Sequence, residues 1–401
     1  LKKGIGALMA CETPDTSVAA ECLGTSVADG GRSALIGPSM TLDFGFEQED
    51  PVLALTVCPG KPNSTRIEEI DEPGPELGPV LVQTLAVGIC GTDLEIVSGA
   101  YGWAPPGKER LVLGHEVIGK VIEAPSDCDV RAGDYVAGIV RRPDPVPCLN
   151  CAAGEWDMCR NGRYTEHGIK EIDGFLCERF RAHPAFLVKS SAQLGLSGVL
   201  IEPASVVAKA WRHIEQIGAR SVWKPRVVLG TGGGPIGLLA AAMGRQRQLE
   251  VHVLDIVTDG PKPQLVKDLG ANYHSSGITE LARSADIIIE CTGVGQLVFD
   301  ILQSTPPGAI TCLTGISSGS REIAADFGSL NKSMVLENGV VFGSVNANRR
   351  HYEMAVEALI KADPAWLRRI TNRTVPLADW QAALKRGPDD VKPVIQLAEV
   401  P

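Results

Sequence analysis

Positive charge is scarce in this chain. Lysine and arginine total 38 against 48 acidic residues, for a formal net charge of −10, and the basic pairs Arg141-Arg142 and Arg349-Arg350 stand isolated. The electrostatic footprint of a nucleic-acid binder is therefore missing. Long apolar runs are also missing: none approaches the roughly 18 residues that a membrane helix needs. Cysteine is present eleven times, an odd number scattered along 401 residues, and this excludes a small disulfide-stapled scaffold and favours reduced thiols in a cytoplasmic setting. With 44 % hydrophobic residues, a chain of this length can bury two cores.

Sustained periodicity is lacking in residues 1–50, which are rich in Gly, Ser, Ala and Asp and read as a poorly ordered extension. Lys2 and Lys3 before the apolar Gly4–Ala10 stretch are faintly leader-like, but Glu12, Asp15, Glu21 and Asp29 oppose a transit peptide. Regular patterning starts at Val52. Val52–Val57, Val80–Val87, Val117–Glu123 and Tyr135–Val140 read as strands separated by turns at Pro59-Gly60, Pro125 and Gly133. Short strands with few helices imply a β-rich, barrel-like lobe that displays functional residues on its loops.

From about Val206 to Phe342 strands and helices alternate. Arg226–Leu229, Val251–Leu254, Asp286–Glu290, Ala309–Leu313 and Val340–Phe342 are short apolar strands, with helices at Pro235–Arg245 and near Pro263–Leu269. This α/β alternation implies a doubly wound parallel sheet. Between its first strand and first helix lies Gly232-Gly233-Gly234-Pro235-Ile236-Gly237, a G-x-G-x-x-G loop. The first glycine permits the tight turn, the second lets a pyrophosphate approach the backbone, and Gly237 lets helix and strand pack closely, while the free amides of the helix N-terminus face the phosphates. Asp255 ends the next strand, about 20 residues on, where a carboxylate accepts the ribose hydroxyls. At about 4 Å and an effective dielectric near 20, it would repel a 2′-phosphate charge by roughly 4 kcal/mol. Ile256 and Val257 follow instead of an arginine, so NAD is expected as cofactor, with NADP the weaker alternative.

Three runs supply metal-binding chemistry: Gly88-Ile89-Cys90-Gly91-Thr92-Asp93, Leu113-Gly114-His115-Glu116 and Leu200-Ile201-Glu202-Pro203. Thiolate, imidazole and carboxylate together suit Zn²⁺, and three protein ligands leave one coordination position for substrate. Cys90, His115 and Glu202 are the expected donors, and Glu116 is either a fourth, transient ligand or a support to the others. Zinc would acidify an alcohol as it acidifies water.

With these motifs the chain resembles the zinc-dependent medium-chain alcohol and polyol dehydrogenases. Gly91–Val97, Leu111–Glu116 and above all Gly343-Ser344-Val345-Asn346-Ala347-Asn348-Arg349-Arg350 are similar to their microbial glucose dehydrogenase branch. The resemblance implies a GroES-like zinc lobe from residues 51–205 and 350–401 and a Rossmann lobe from 206–349. It further implies that Thr92 relays the hydroxyl proton, that Thr292, Gly293 and Asn346 join the cofactor site, and that Glu166 and Asn346 meet sugar hydroxyls. Cys148, Cys151 and Cys159 resemble a structural zinc lobe lacking one of its usual four cysteines, so the lobe either closes a site with Asp144 or is metal-free. The activity implied is oxidation of a sugar or polyol hydroxyl, an aldose C1 such as that of glucose first. Ser205-Val206-Val207, where relatives carry another polar residue, keeps a cyclitol or aminocyclitol open as an alternative substrate. A homodimer or homotetramer is expected. A non-catalytic nucleotide binder is the competing class, opposed by the intact Cys90, His115 and Glu202.

Overall fold

In a computed structural model, which describes residues 51–317 and 322–399, the strand Val80–Gly88 organises the first half of the chain. Only Gln83 of its nine residues is exposed, so the strand is apolar on both faces and must lie inside a sheet. It pairs antiparallel with Glu116–Glu123 on one side and Pro393–Gln396 on the other. Tyr135–Gly138, Leu187–Lys189, Arg179–Ala182 and Arg373–Pro376 complete a seven-stranded sheet. The expectations for residues 1–50 lie outside the described residues.

Register here sets chemistry. Gly88 stands opposite Glu116, so residues just beyond these paired positions, Cys90 and His115, emerge as neighbours at the same end of the sheet. Val394 is also opposite Gly88, which brings Lys392 from near the C-terminus to the same place.

The second half forms a six-stranded sheet, all pairs parallel. Its order is Asn272–His274, Glu250–Leu254, Val227–Thr231, Ile287–Glu290, Ile310–Leu313, Val340–Gly343. All four residues of Ile287–Glu290 are buried, as expected for a parallel strand covered on both faces. Chain order reverses between Val227–Thr231 and Ile287–Glu290, and the crevice beyond the C-terminal ends of those strands is where such sheets bind ligands.

One helix, Ile201–Gly218, joins the two halves, so the sequence-based boundary at 205/206 falls inside it. Its apolar face carries Val207, Ala208, Trp211 and Ile214. The core around them runs without a break from Leu85 and Ile118 of the first sheet to Val228 and Ile287 of the second and Leu238 of the helix Pro235–Gln246. Residues 192–218 are long and apolar enough on average to cross a membrane, although Glu202, Lys209 and Arg212 interrupt them, so no uncharged run reaches the roughly 18 residues given above. Of their most apolar 18 residues, 78 % are buried within the protein, as befits a core helix.

Candidate active site

Cys90 is the N-cap of the helix Gly91–Val97: its sulfur accepts from the Thr92 amide at 3.2 Å, and its own amide donates to Asp93 Oδ2 at 2.9 Å. This reciprocal capping, in which a cysteine stands where serine is usual, fixes the thiol's direction. Cys90 Sγ lies 3.0 Å from His115 Nε2, and the other ring nitrogen, Nδ1, is 3.4 Å from Asp93 Oδ1. Asp93 is fully buried and His115 nearly so. Burial opposes a charged imidazole, but the Cys90 and Asp93 charges and hydrogen bonds more than offset it and raise His115 well above its ordinary pKa. Burial likewise opposes ionisation of Asp93, and the facing His115 outweighs it, holding that carboxyl below the usual range.

Glu116 is buried beside this cluster, with Oε1 2.6 Å from Lys392 Nζ. Its Oε2, together with Asp93 Oδ1 and His115 Nδ1, has no hydrogen-bond partner among the described residues. That oxygen lies over Gly88, where a Cβ would come within 2.2 Å of it, so a side chain there would displace the Glu116 carboxylate. Glu202, in the first turn of Ile201–Gly218, has its carboxyl pushed up to about 7 by burial, an effect that His115 opposes and Glu116 reinforces. Four acidic or thiol groups, Cys90, Asp93, Glu116 and Glu202, thus share two buried cationic partners, His115 and Lys392. The crowding of donors with orphaned lone pairs fits a bound divalent cation, and sulfur, nitrogen and oxygen donors fit zinc. Among atoms mutually within 4.8 Å the structure groups Cys90 and His115 with Asp93 rather than with Glu116 or Glu202. Asp93 and Lys392 were not singled out by sequence reasoning. Asp93 could have been found from the Cys-x-x-Asp capping spacing; Lys392 carries no local signal, since only strand pairing over some 300 residues brings it here.

The Thr92 hydroxyl makes no hydrogen bond among the described residues and is half-buried beside Cys90. Glu166 and Asn346, 180 positions apart, do meet: Asn346 Nδ2 donates to Glu166 Oε1 at 2.8 Å, and Arg141 donates twice to the same oxygen. Arg141 also stacks on the Tyr164 ring at 3.7 Å.

In the glycine loop Gly232 has φ +86, and a Cβ on Gly237 would sit 1.8 Å from the Gly232 carbonyl oxygen, so both positions demand glycine. Gly234 caps the helix Pro235–Gln246 and faces open space, which leaves Pro235 and Ile236 to present the first turn. Asp255 accepts from the Gly233 amide and, at 3.0 Å, from the Val257 amide, while Lys262 lies 3.5 Å away. Thr292 and Gly293 flank the same crevice, bound to the buried Glu290. Cys148, Cys151 and Cys159 converge, with sulfurs within 4.8 Å of one another. Backbone amides pull the Cys148 thiol down to about 6, whereas burial pushes Cys151 up to about 11. Asp144 directs both carboxylate oxygens into its own loop, to the Val146 amide and the Asn161 side chain. A cavity of about 840 Å³ elsewhere on the first lobe, walled by Arg110, His167 and Phe180, contains none of the zinc-donor or glycine-loop residues.

Residues 76–192 match the alcohol dehydrogenase GroES-like domain, and residues 195–397 match the glucose dehydrogenase C-terminus. Glucose 1-dehydrogenase of Methanocella arvoryzae is 36 % identical over 355 residues, spanning 86 % of this chain and 99 % of the relative. The chain belongs to the zinc-dependent medium-chain dehydrogenases, in their glucose dehydrogenase branch. Glucose 1-dehydrogenase of Thermoproteus tenax is 38 % identical over 352 residues, with the same coverage of both chains. Among solved structures this dehydrogenase is similar to Haloferax mediterranei glucose dehydrogenase in complex with NADP, Zn and gluconolactone. The TM-score is 0.80 and the identity 29 %, covering 86 % of this chain and 99 % of that one.

Proposed function

We propose that this chain oxidises an aldose at C1 to its lactone, passing the hydride to a nicotinamide dinucleotide. The observation that carries this reading is the buried Cys90–His115–Asp93 cluster, with Glu116 and Glu202 beside it, in one compact unit with a glycine loop at the switch point of a parallel sheet. Relatives named as glucose 1-dehydrogenases and a neighbour holding gluconolactone support the substrate.

Cys90, His115 and Glu202 are the groups that would hold zinc, which supplies the Lewis acidity that makes an alcohol easy to deprotonate. Asp93 Oδ1 faces His115 Nδ1 at 3.4 Å, which would orient the ring and leave Nε2 for the ion. Lys392 holds Glu116 away from full commitment to the metal by occupying one of its oxygens. The Thr92 hydroxyl, free of other bonds among the described residues, relays the proton of the substrate hydroxyl, accepting it while passing its own on toward solvent as the C1 hydride departs. One hydride goes to the nicotinamide and one proton to solvent, so the two-electron oxidation balances. Glu166 and Asn346, acceptor and amide side by side, suit the hydroxyls of a sugar ring. Asp255 favours NAD over NADP. Nine described cysteines are all free thiols, which supports a reducing, cytoplasmic setting.

An assay of NAD reduction against a panel of aldoses and cyclitols, with zinc measured in parallel, tests the reading. Turnover of D-glucose that is lost on chelation and restored by zinc is expected; turnover of cyclitols alone would replace the substrate, and full activity after verified zinc removal would overturn the mechanism.

A further inference from the structure

Glu290 is fully buried at the end of the strand Ile287–Glu290, directly opposite Thr231, the residue before the first glycine of the loop. Its Oε1 accepts from the Thr231 hydroxyl at 3.1 Å, the Thr292 amide at 2.7 Å, the Thr292 hydroxyl, and the Gly293 amide at 3.2 Å, which also reaches Oε2 at 3.1 Å. Its main-chain oxygen accepts from the amides of Thr314 and Gly315 and from the Thr314 hydroxyl. One residue therefore ties together the three loops that leave adjacent strands on the C-terminal side of the sheet. The knot is tight. A Cβ on Gly315 would come within 2.2 Å of the Gly293 nitrogen, and one on Gly293 within 2.5 Å of the Ile316 carbonyl carbon.

Four donors converge on Oε1 and the Gly293 amide also reaches Oε2, whereas an amide of the same shape must replace one of these oxygens by an NH2 and so turn its own donors toward the Gly293 amide or toward the Thr231 and Thr292 donors. The sheet order also separates the two halves of a dinucleotide. Asp255, at the end of Glu250–Leu254, lies on the adenosine side of the reversal, and the Thr292–Gly293 loop lies on the other side, where the second mononucleotide unit begins.

Resting on the dinucleotide reading above, we propose that Glu290 is the positioning residue for the nicotinamide half of the cofactor, acting through Thr231, Thr292 and Gly293 rather than by touching the ligand. It ties down the loop on which that half lies, and it does not serve the adenosine half.

The test compares NAD with AMP in calorimetric titrations of the zinc-loaded enzyme. Glu290→Gln should raise the Kd of NAD roughly ten- to hundredfold, as losing hydrogen bonds to a charged group does, while the Kd of AMP changes less than about threefold. Thr231→Val, which removes one donor and is the milder change, should raise the NAD Kd a few-fold and again spare AMP; it carries the test if Glu290→Gln does not fold. An equal loss of AMP and NAD binding would mean that Glu290 only holds the domain together and would overturn the proposal, as would an unchanged NAD Kd in both variants. Wild-type protein that binds neither nucleotide would instead sink the underlying dinucleotide reading.

Discussion

Asp93 performs two tasks with one carboxylate: Oδ2 caps the Cys90 amide and Oδ1 faces His115. Both ends of the donor pair thus depend on a side chain that never has to touch an ion. Asp93→Asn keeps the shape but leaves His115 free to tilt, and removal of such a partner typically costs ten- to a hundredfold in metal affinity. Competition with a zinc chelator should show that loss, and an unchanged affinity would mean that packing alone orients the ring. Asp255 yields a second prediction at this scale. It is held by the Gly233 and Val257 amides, and in the reading proposed above its charge faces an incoming 2′-phosphate. The wild type should favour NAD in kcat/KM by roughly ten- to a thousandfold, and Asp255→Asn should narrow that ratio mainly by improving NADP. A wild-type preference for NADP would point to Lys262, 3.5 Å away, as the group that reads the phosphate.

At the level of elements, what was legible in the sequence followed from patterns that are local. Val52–Val57 reads as a strand because it is a short apolar run that ends at the Pro59-Gly60 turn, and the structure forms it over the same residues. The glycine loop was legible because three glycines and a proline leave the backbone few other turns. Helix Phe327–Glu337 was not: Leu330 is its only buried residue, so no apolar stripe announces it. Arg179–Ala182 and Arg373–Pro376 escaped notice for a similar reason, being four-residue strands too short for a period to register. At the site, Cys90 and His115 were legible by residue type, while the Lys392–Glu116 pair depends on register between distant strands. Cys148, Cys151 and Cys159 converge within one loop. The three sulfurs lie within 4.8 Å of one another, and we propose that they hold a structural zinc. Protein loaded with excess zinc should hold close to two ions per chain, and Cys151→Ser should lower Tm more than it lowers kcat. A stoichiometry of one in fully loaded protein would make the loop metal-free.

For the whole molecule, buried imidazoles set how stability responds to pH. Burial lowers His351 to about 3 and holds His167 well below its ordinary value, and the nearby Arg142 reinforces the latter. The Asn348 amide donates to His351 Nδ1, a bond that a protonated ring cannot accept. Below about pH 6.5 the unfolded chain binds protons that the fold refuses, so stability falls with falling pH by about 1.4 kcal/mol per unit for each such group. The urea midpoint of zinc-loaded protein should therefore drop between pH 7 and pH 5. His351→Gln should flatten the slope; a slope identical to wild type would show that His351 takes up its proton in the folded state.

The helix Ile201–Gly218 carries Glu202, proposed above as a zinc donor, in its first turn and seats Trp211 and Ile214 in the shared core further along. It therefore works as a rigid axle, and the angular setting of Glu202 is dictated from the nucleotide end. Adding one alanine after Ala208 would turn Glu202 by about 100° relative to Trp211. Every residue of the site would still be present, yet zinc retention should fall while AMP binding stays, because it is the phase of the helix that makes two lobes into one catalyst.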